Sequence, residues 1–319
     1  MANKVYFTNK SKLQPDIQKD AEEVFQSALE QLDFTESAAA AGAVNKWVAE
    51  QTEDMIKDVV DAKSLNSDTR LLLINAIYFQ GFWETPFRTR ATRDRPFHVD
   101  LNTQIKVPMM SMHDVHFRYK HSPELKAQFL QMDYKGRQAS MVIVLPDEIE
   151  GLGAVLQQLA AGHDLMAELT DMKSTLLDVM VPKFKIETEI DLTQLLPEMG
   201  IKLIFDDRNS NINMLTSNEP LYVSKAVQKA LIEVDEAGTK AVARTMVGDE
   251  IRLCKIRVPE KRVFNANRPH LFLLTAREIP VFLSVYRGRE SAVPVTETKK
   301  PVSSTEPVLF TNMFTPSYI

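Results

Sequence analysis

Three histidines, His113, His116 and His121, stand close together in the chain, and a single cysteine, Cys254, is present. Such residues suggest metal ligation or nucleophilic catalysis. On a strand, however, residues i and i+3 point to opposite faces, so His113 and His116 do not share a metal ion. One cysteine excludes an internal disulfide. The patterns GxGxxG, GxxxxGK[ST], GxSxG and HExxH are all absent. Ten glycines among 319 residues also argue against glycine-rich nucleotide loops. The chain therefore reads as no enzyme, with no metal site and no cofactor.

The unusual segment is EVDEAGTKAVARTMV, residues 233–247. From Thr239 onward every second residue is small or modest: Thr239, Ala241, Ala243, Thr245, Val247. Lys240, Val242, Arg244 and Met246 alternate with them. Period two marks a strand with one covered face. Yet the segment continues into DEIRLCKIRVPEKR, which is too charged for a core strand. A face ready for a sheet sits in what reads as an exposed loop.

The rest of the chain supplies the elements to hold such a loop. ANKVYFTNK (2–10) reads as a strand and PDIQKDAEEVFQSAL (15–29) as a helix. Val44, Trp47, Val48, Met55, Ile56 and Val59 form one 3.6-period stripe, which predicts a helix over 44–59. RLLLINAIYF (70–79) is a continuous apolar run, as in a strand covered on both faces. Strands are predicted at 96–107, 115–121, 127–133 and 139–145, and a helical pattern covers 151–169. Residues 179–192 read as strand running into helix, and 221–236 as one long strand. Two short strands joined around Ala276–Glu278 fill 270–286. After Gly288 the sequence turns polar and proline-punctuated, so 289–319 reads as a disordered tail.

The formal net charge of −5 and the lack of a clustered basic face argue against nucleic acid as a partner. No stretch reaches the roughly 18–20 unbroken apolar residues of a membrane span. The chain opens without a signal peptide.

Six segments together carry a family resemblance: VNKWVAEQTEDMIKDVV (44–60), NAIYFQGFWETPF (75–87), VPKFKIE (181–187), KALIEVDEAGTKA (229–241), FNANRPHLFLL (264–274) and IPVFL (279–283). In this order they resemble the serpins, insect-type members in particular. The resemblance covers residues 2 to about 288, giving a serpin domain at 1–288 and the tail beyond it. It implies an α+β fold of three β-sheets with surrounding helices and an exposed reactive loop. The large sheet is expected to contain 2–10, 28–34, 70–80, 181–189 and 221–236. The family's first helices lie upstream of the KVYF segment, so the N-terminal helices are missing and the chain reads as a truncated isoform. A sheet stripped of one cover would expose apolar area beyond what a soluble monomer tolerates, so the chain alone is expected to be poorly soluble or not metastable.

The resemblance also implies a mechanism. A target protease attacks the loop and forms an acyl-enzyme, after which the loop enters the large sheet as an extra strand. Residues 239–247 are then read twice, first as loop and later as a buried strand. The inward set Thr239, Ala241, Ala243 and Thr245 carries no charge, while Lys240 and Arg244 fall on the outward set. Glu236 and Gly238 complete the implied hinge. Lys240 and Arg244 depart from the family's acidic and small residues there, which leaves a non-inserting loop helix as the other reading.

Counting on from Thr239 by the family's hinge spacing places the cut at Arg252–Leu253. Counting back from FNANRP gives Lys255–Ile256 instead. Either bond presents a cation suited to a trypsin-like pocket. Asn75 and Trp83, together with Gln228 in place of a frequent histidine, match the family's sheet-opening region. The expected function is suicide inhibition of a trypsin-like serine protease, with a cysteine protease also possible and the chain acting as a monomer. The alternative is a non-inhibitory binding protein or an inactive truncated isoform. The full-length form is expected outside cells, and this chain, lacking a signal peptide, also fits the cytoplasm.

Overall fold

A computed structural model describes residues 2–14, 19, 28–210, 212, 215–216, 221–239 and 262–288. In chain order the elements are β1 (Ala2–Thr8), β2 (Lys12–Leu13), β3 (Ala28–Leu32), α1 (Ser37–Gln51), β4 (Leu71–Tyr78), β5 (Gly81–Phe82), β6 (Arg93–His98) and β7 (Gln104–Ser122). β8 (Ala127–Asp133), β9 (Ala139–Pro146), α2 (Leu152–Ala160), α3 (Leu165–Thr170), β10 (Lys173–Pro182), β11 (Phe184–Asp191) and α4 (Leu192–Glu198) follow. The last are β12 (Leu215–Thr216), β13 (Val223–Val234), β14 (Gly238–Thr239), β15 (Arg262–Asn265), β16 (His270–Ala276) and β17 (Ile279–Tyr286). The expected helix at 15–29 and the tail at 289–319 lie outside the described residues, Lys19 and Ala28–Leu29 excepted.

One unit comprises residues 1–79 and 186–232. Its five-stranded sheet has the order β11-β13-β4-β1-β3. β13 and β4 pair directly and in parallel, while β1 and β4 are antiparallel. Leu72, Ile74 and Ala76 of β4 project to one face with Tyr6, Val227 and Leu231. There they meet Ala40, Ala41, Val44 and Val48 of the alanine-rich helix α1. On the opposite face Phe7, Leu71 and Val223 cluster at one end with Leu192, Ile204 and Phe205. Further along that face Val5, Leu73 and Asn75 are half-buried, and Asn3 is exposed.

Helix α1 ends at Gln51, eight residues before the predicted limit of Val59. Glu53, Asp54 and Asp58 adopt positive φ, which a helix does not allow. Ile56 and Val59 are nevertheless buried. Turns return them to the core: the Thr52 hydroxyl donates to the Val48 carbonyl at 2.7 Å and accepts the Ile56 N–H at 3.1 Å. Asn45 then pins the returning chain through both backbone groups of Val60, each at 2.9 Å. The apolar stripe was correctly a core signal, but its second half is not helical.

The other unit comprises residues 80–185 and 233–290. Its main sheet has the order β15-β10-β7-β8-β9-β16-β17, with β6 also pairing β7. β7 is 19 residues long, so hydrogen bonds join the remaining expected sheets into one path. The predicted strand at 96–107 is a hairpin instead. Asp100 accepts the N–H groups of Asn102 and Thr103, each at 2.8 Å, and turns β6 into β7. The helical pattern at 151–169 is likewise two helices. Gly162 at φ +102 closes α2, and Asp164 caps α3 by accepting from Met166 and Ala167. Arg277 and Glu278, both at positive φ, make the two-residue turn between β16 and β17.

Candidate functional site

The segment DEAG that follows β13 is a turn in which each residue has a separate task. The Asp235 carboxylate accepts the N–H groups of Ala237 at 2.9 Å and Gly238 at 3.1 Å. The Asp235 N–H donates in turn to the Gly238 carbonyl at 2.8 Å. An aspartate folding the backbone over itself in this way stabilises a tight reversal. Gly238 has φ +151, and a Cβ there would lie 2.0 Å from the Gly81 carbonyl oxygen. Only glycine fits. β14 then pairs antiparallel with β5, Gly238 opposite Phe82 and Thr239 opposite Gly81.

Trp83, 1% exposed, clamps the turn. Its indole N–H donates to the Asp235 carbonyl at 2.9 Å, and its backbone N–H donates to Ala237 at 2.8 Å. The ring stacks on Tyr134 with centroids 4.4 Å apart. Glu236 is buried and its carboxylate is shared: Lys183 donates at 2.9 Å and the Thr92 hydroxyl at 2.7 Å. Burial opposes ionisation of Glu236, but these hydrogen bonds outweigh it and hold the carboxyl below its usual range. The same bond from Glu236 raises the Lys183 ammonium above its ordinary value.

The five-stranded sheet has its own point of interest at the β4–β13 pair. Asn75 stands in register with Gln228 on one side and Asn3 on the other. Its amide donates to the Asn3 side chain. Gln228 makes no side-chain hydrogen bond among the described residues, so the row of three amides is closed on one side only. Lys229, buried on the α1 side, donates to the Lys57 carbonyl at 3.0 Å and pairs with Glu187 at 2.8 Å. No other strand lies between β4 and β13 among the described residues.

Of the expected site residues, Glu236, Gly238, Trp83 and the backbone of Thr239 meet in the turn after β13. Asn75 and Gln228 meet in the sheet. Ala241, Ala243, Thr245, Arg252, Leu253, Lys255 and Ile256 lie outside the described residues. Sequence reasoning missed Asp235, Lys183, Thr92, Gly81 and Tyr134. Asp235 was detectable, because an aspartate three residues before a glycine is a turn pattern. Lys183 was not, standing 53 positions from Glu236. The histidines behave as surface and structural groups: His113 lies 3.1 Å from Asp178 and His121 2.8 Å from Asp147. Among the described residues no group of three potential ligands is arranged for a metal ion, and no helix is long and apolar enough to cross a membrane.

Comparison with known proteins agrees with this architecture. The family model described as serpin (serine protease inhibitor) matches residues 1–286. Alaserpin of Manduca sexta is 40% identical over 284 residues, covering 88% of this chain and 71% of that protein. Antitrypsin of Bombyx mori is 38% identical over 286 residues, covering 90% and 72%. The crystal structure of Serpin48 from Tenebrio molitor superposes with a TM-score of 0.81 at 31% identity, covering 91% of this chain and 75% of that one. A central parallel pair of strands, a glycine turn at the end of one of them and a family match across nearly the whole described chain have one common explanation: the chain belongs to the serpin family.

Proposed function

We propose that this chain inhibits a trypsin-like serine protease as a suicide substrate, cut at Arg252–Leu253 or at Lys255–Ile256. The observation that carries the reading is the hinge itself. β13 leads through the Asp235–Gly238 turn to Thr239, the first of the alternating residues Thr239, Ala241, Ala243 and Thr245, none of which carries a charge. Insertion means parting β4 from β13 and placing this segment between them, where a lone buried charge would cost several kcal/mol. Relatives named antitrypsin support protease inhibition as the general activity. Asn75 and Gln228 are assigned to the opening of this seam, and Trp83 and Glu236 to holding the hinge until the loop is cut.

The test is to mix the chain with trypsin and look for a covalent complex that survives boiling in detergent. Thr239→Arg should abolish that complex and leave a substrate that is merely cut. Cleavage without complex in the unmodified chain rejects inhibition. A non-inhibitory binding protein is the second reading, favoured by Lys240 and Arg244 in the segment that must insert. It predicts that Thr239→Arg changes nothing.

A further inference from the structure

On the unit that holds the hinge, a groove of about 560 Å³ is lined by Tyr119, Lys120, Asp171, Lys173, Thr175 and Arg262. Three of its six residues are cations. Lys120 is held by Glu168 at 2.7 Å and lies 3.9 Å from Asp171. Glu168 is fixed in turn by Ser122 at 2.8 Å and His163 at 2.9 Å, so this end of the groove is rigid. The Arg262 guanidinium lies over the Tyr119 ring, 5.5 Å from its centroid. Neither Lys173 nor Arg262 has a carboxylate partner among the described residues. Asp171 is the one carboxylate in the lining, and its side chain is 81% exposed. Among the described residues the groove therefore presents two uncompensated cations, Lys173 and Arg262.

Its place in the chain points to an occupant. Arg262 opens β15, ten positions after Arg252 and seven after Lys255. Even fully extended, ten residues span at most about 35 Å. A protease seated on either bond covers roughly 800 Å² of its partner's surface, and this short stretch of chain keeps the groove near that footprint. We propose that the groove is a second contact for the attacking protease and takes a surface carboxylate of that enzyme. This rests on the inhibitory reading above. The chain as a whole is acidic, with net charge −5. An acidic protease is thus repelled at low salt, and a local cationic patch offsets that repulsion. Charges at the rim of an interface act mainly on the association rate and its salt dependence.

Anionic and cationic trypsin share primary specificity and differ in surface charge, so they serve as probes. The association rate constant for each is measured at low salt with the full chain and with K173E/R262E. The ratio of anionic to cationic rates should fall at least about threefold in the variant, and 0.5 M salt should erase the difference. K173Q/R262Q should shift the ratio in the same direction by a smaller factor, and its melting curve checks that the fold is intact. An unchanged ratio in both variants overturns the groove while leaving inhibition in place. No complex between the unmodified chain and either trypsin overturns inhibition, and this contact with it. A rate gain from dextran sulfate that only the unmodified chain shows, with an unchanged trypsin ratio, assigns the groove to a polysaccharide instead.

Discussion

His270 shows how a single side chain sets a pH response. It is fully buried against Phe97 and Tyr286, with Nδ1 donating to the Arg268 carbonyl at 2.8 Å. Among the described residues its Nε2 finds no partner. Burial lowers its pKa to about 4 from the ordinary 6.5, and the nearby Arg268 charge acts in the same direction. The folded state thus resists the proton that the unfolded chain accepts below pH 6.5. Stability is retained above that value and lost as pH falls toward 4, by roughly 3 kcal/mol at most. His270→Phe should remove that slope, measured by denaturant unfolding at pH 7 and pH 4.5. Equal slopes in both proteins would reject the assignment. Nothing in RPHLF discloses this burial, because an isolated histidine reads equally as surface or core.

At the scale of elements, the turn after β13 is held by a bond between distant segments. Lys183 stands between β10 and β11, and Glu236 lies in the turn after β13. The Lys183 side chain is 40% exposed and the Glu236 side chain only 10%. Removing the lysine therefore leaves a buried charge with Thr92 as its remaining side-chain partner, a costlier change than removing both charges. In a double-mutant cycle of Lys183→Met and Glu236→Gln, the coupling should reach about 1 kcal/mol or more. Additive losses would show that the pair is incidental. Elements defined by local chemistry were easier to anticipate: β8, β9 and the β16–β17 hairpin lie almost where alternation and turn residues place them. The helix over 44–59 and the strand over 96–107 were drawn too long, because apolar spacing carries no record of where backbone turns. Asp54 and Asp100 do carry such a record, being turn formers in the middle of each stretch.

For the whole molecule, the inhibitory reading makes the uncut state the less stable one. On that reading the direct β4–β13 pair is the seam that a further strand would widen, adding ladder hydrogen bonds on both sides. Cutting within residues 240–261 should therefore raise the melting temperature substantially, read by calorimetry on intact and nicked chain. An unchanged melting temperature rules out insertion. The sequence alone carried the family, through six motifs that resemble the serpins, and the coarse order of the elements; the alternation of small residues after Gly238 can be read there too. All of these lie along one chain. Only the tertiary structure decided that Asp235 and Trp83 clamp the hinge, that Lys183 reaches Glu236, and that Gln228 stands beside Asn75 without bonding to it. The groove at Arg262 belongs with these, since its cations come from three strands far apart in the chain. Packing and Coulomb forces act through space, so partners that meet only on folding leave no local pattern to read.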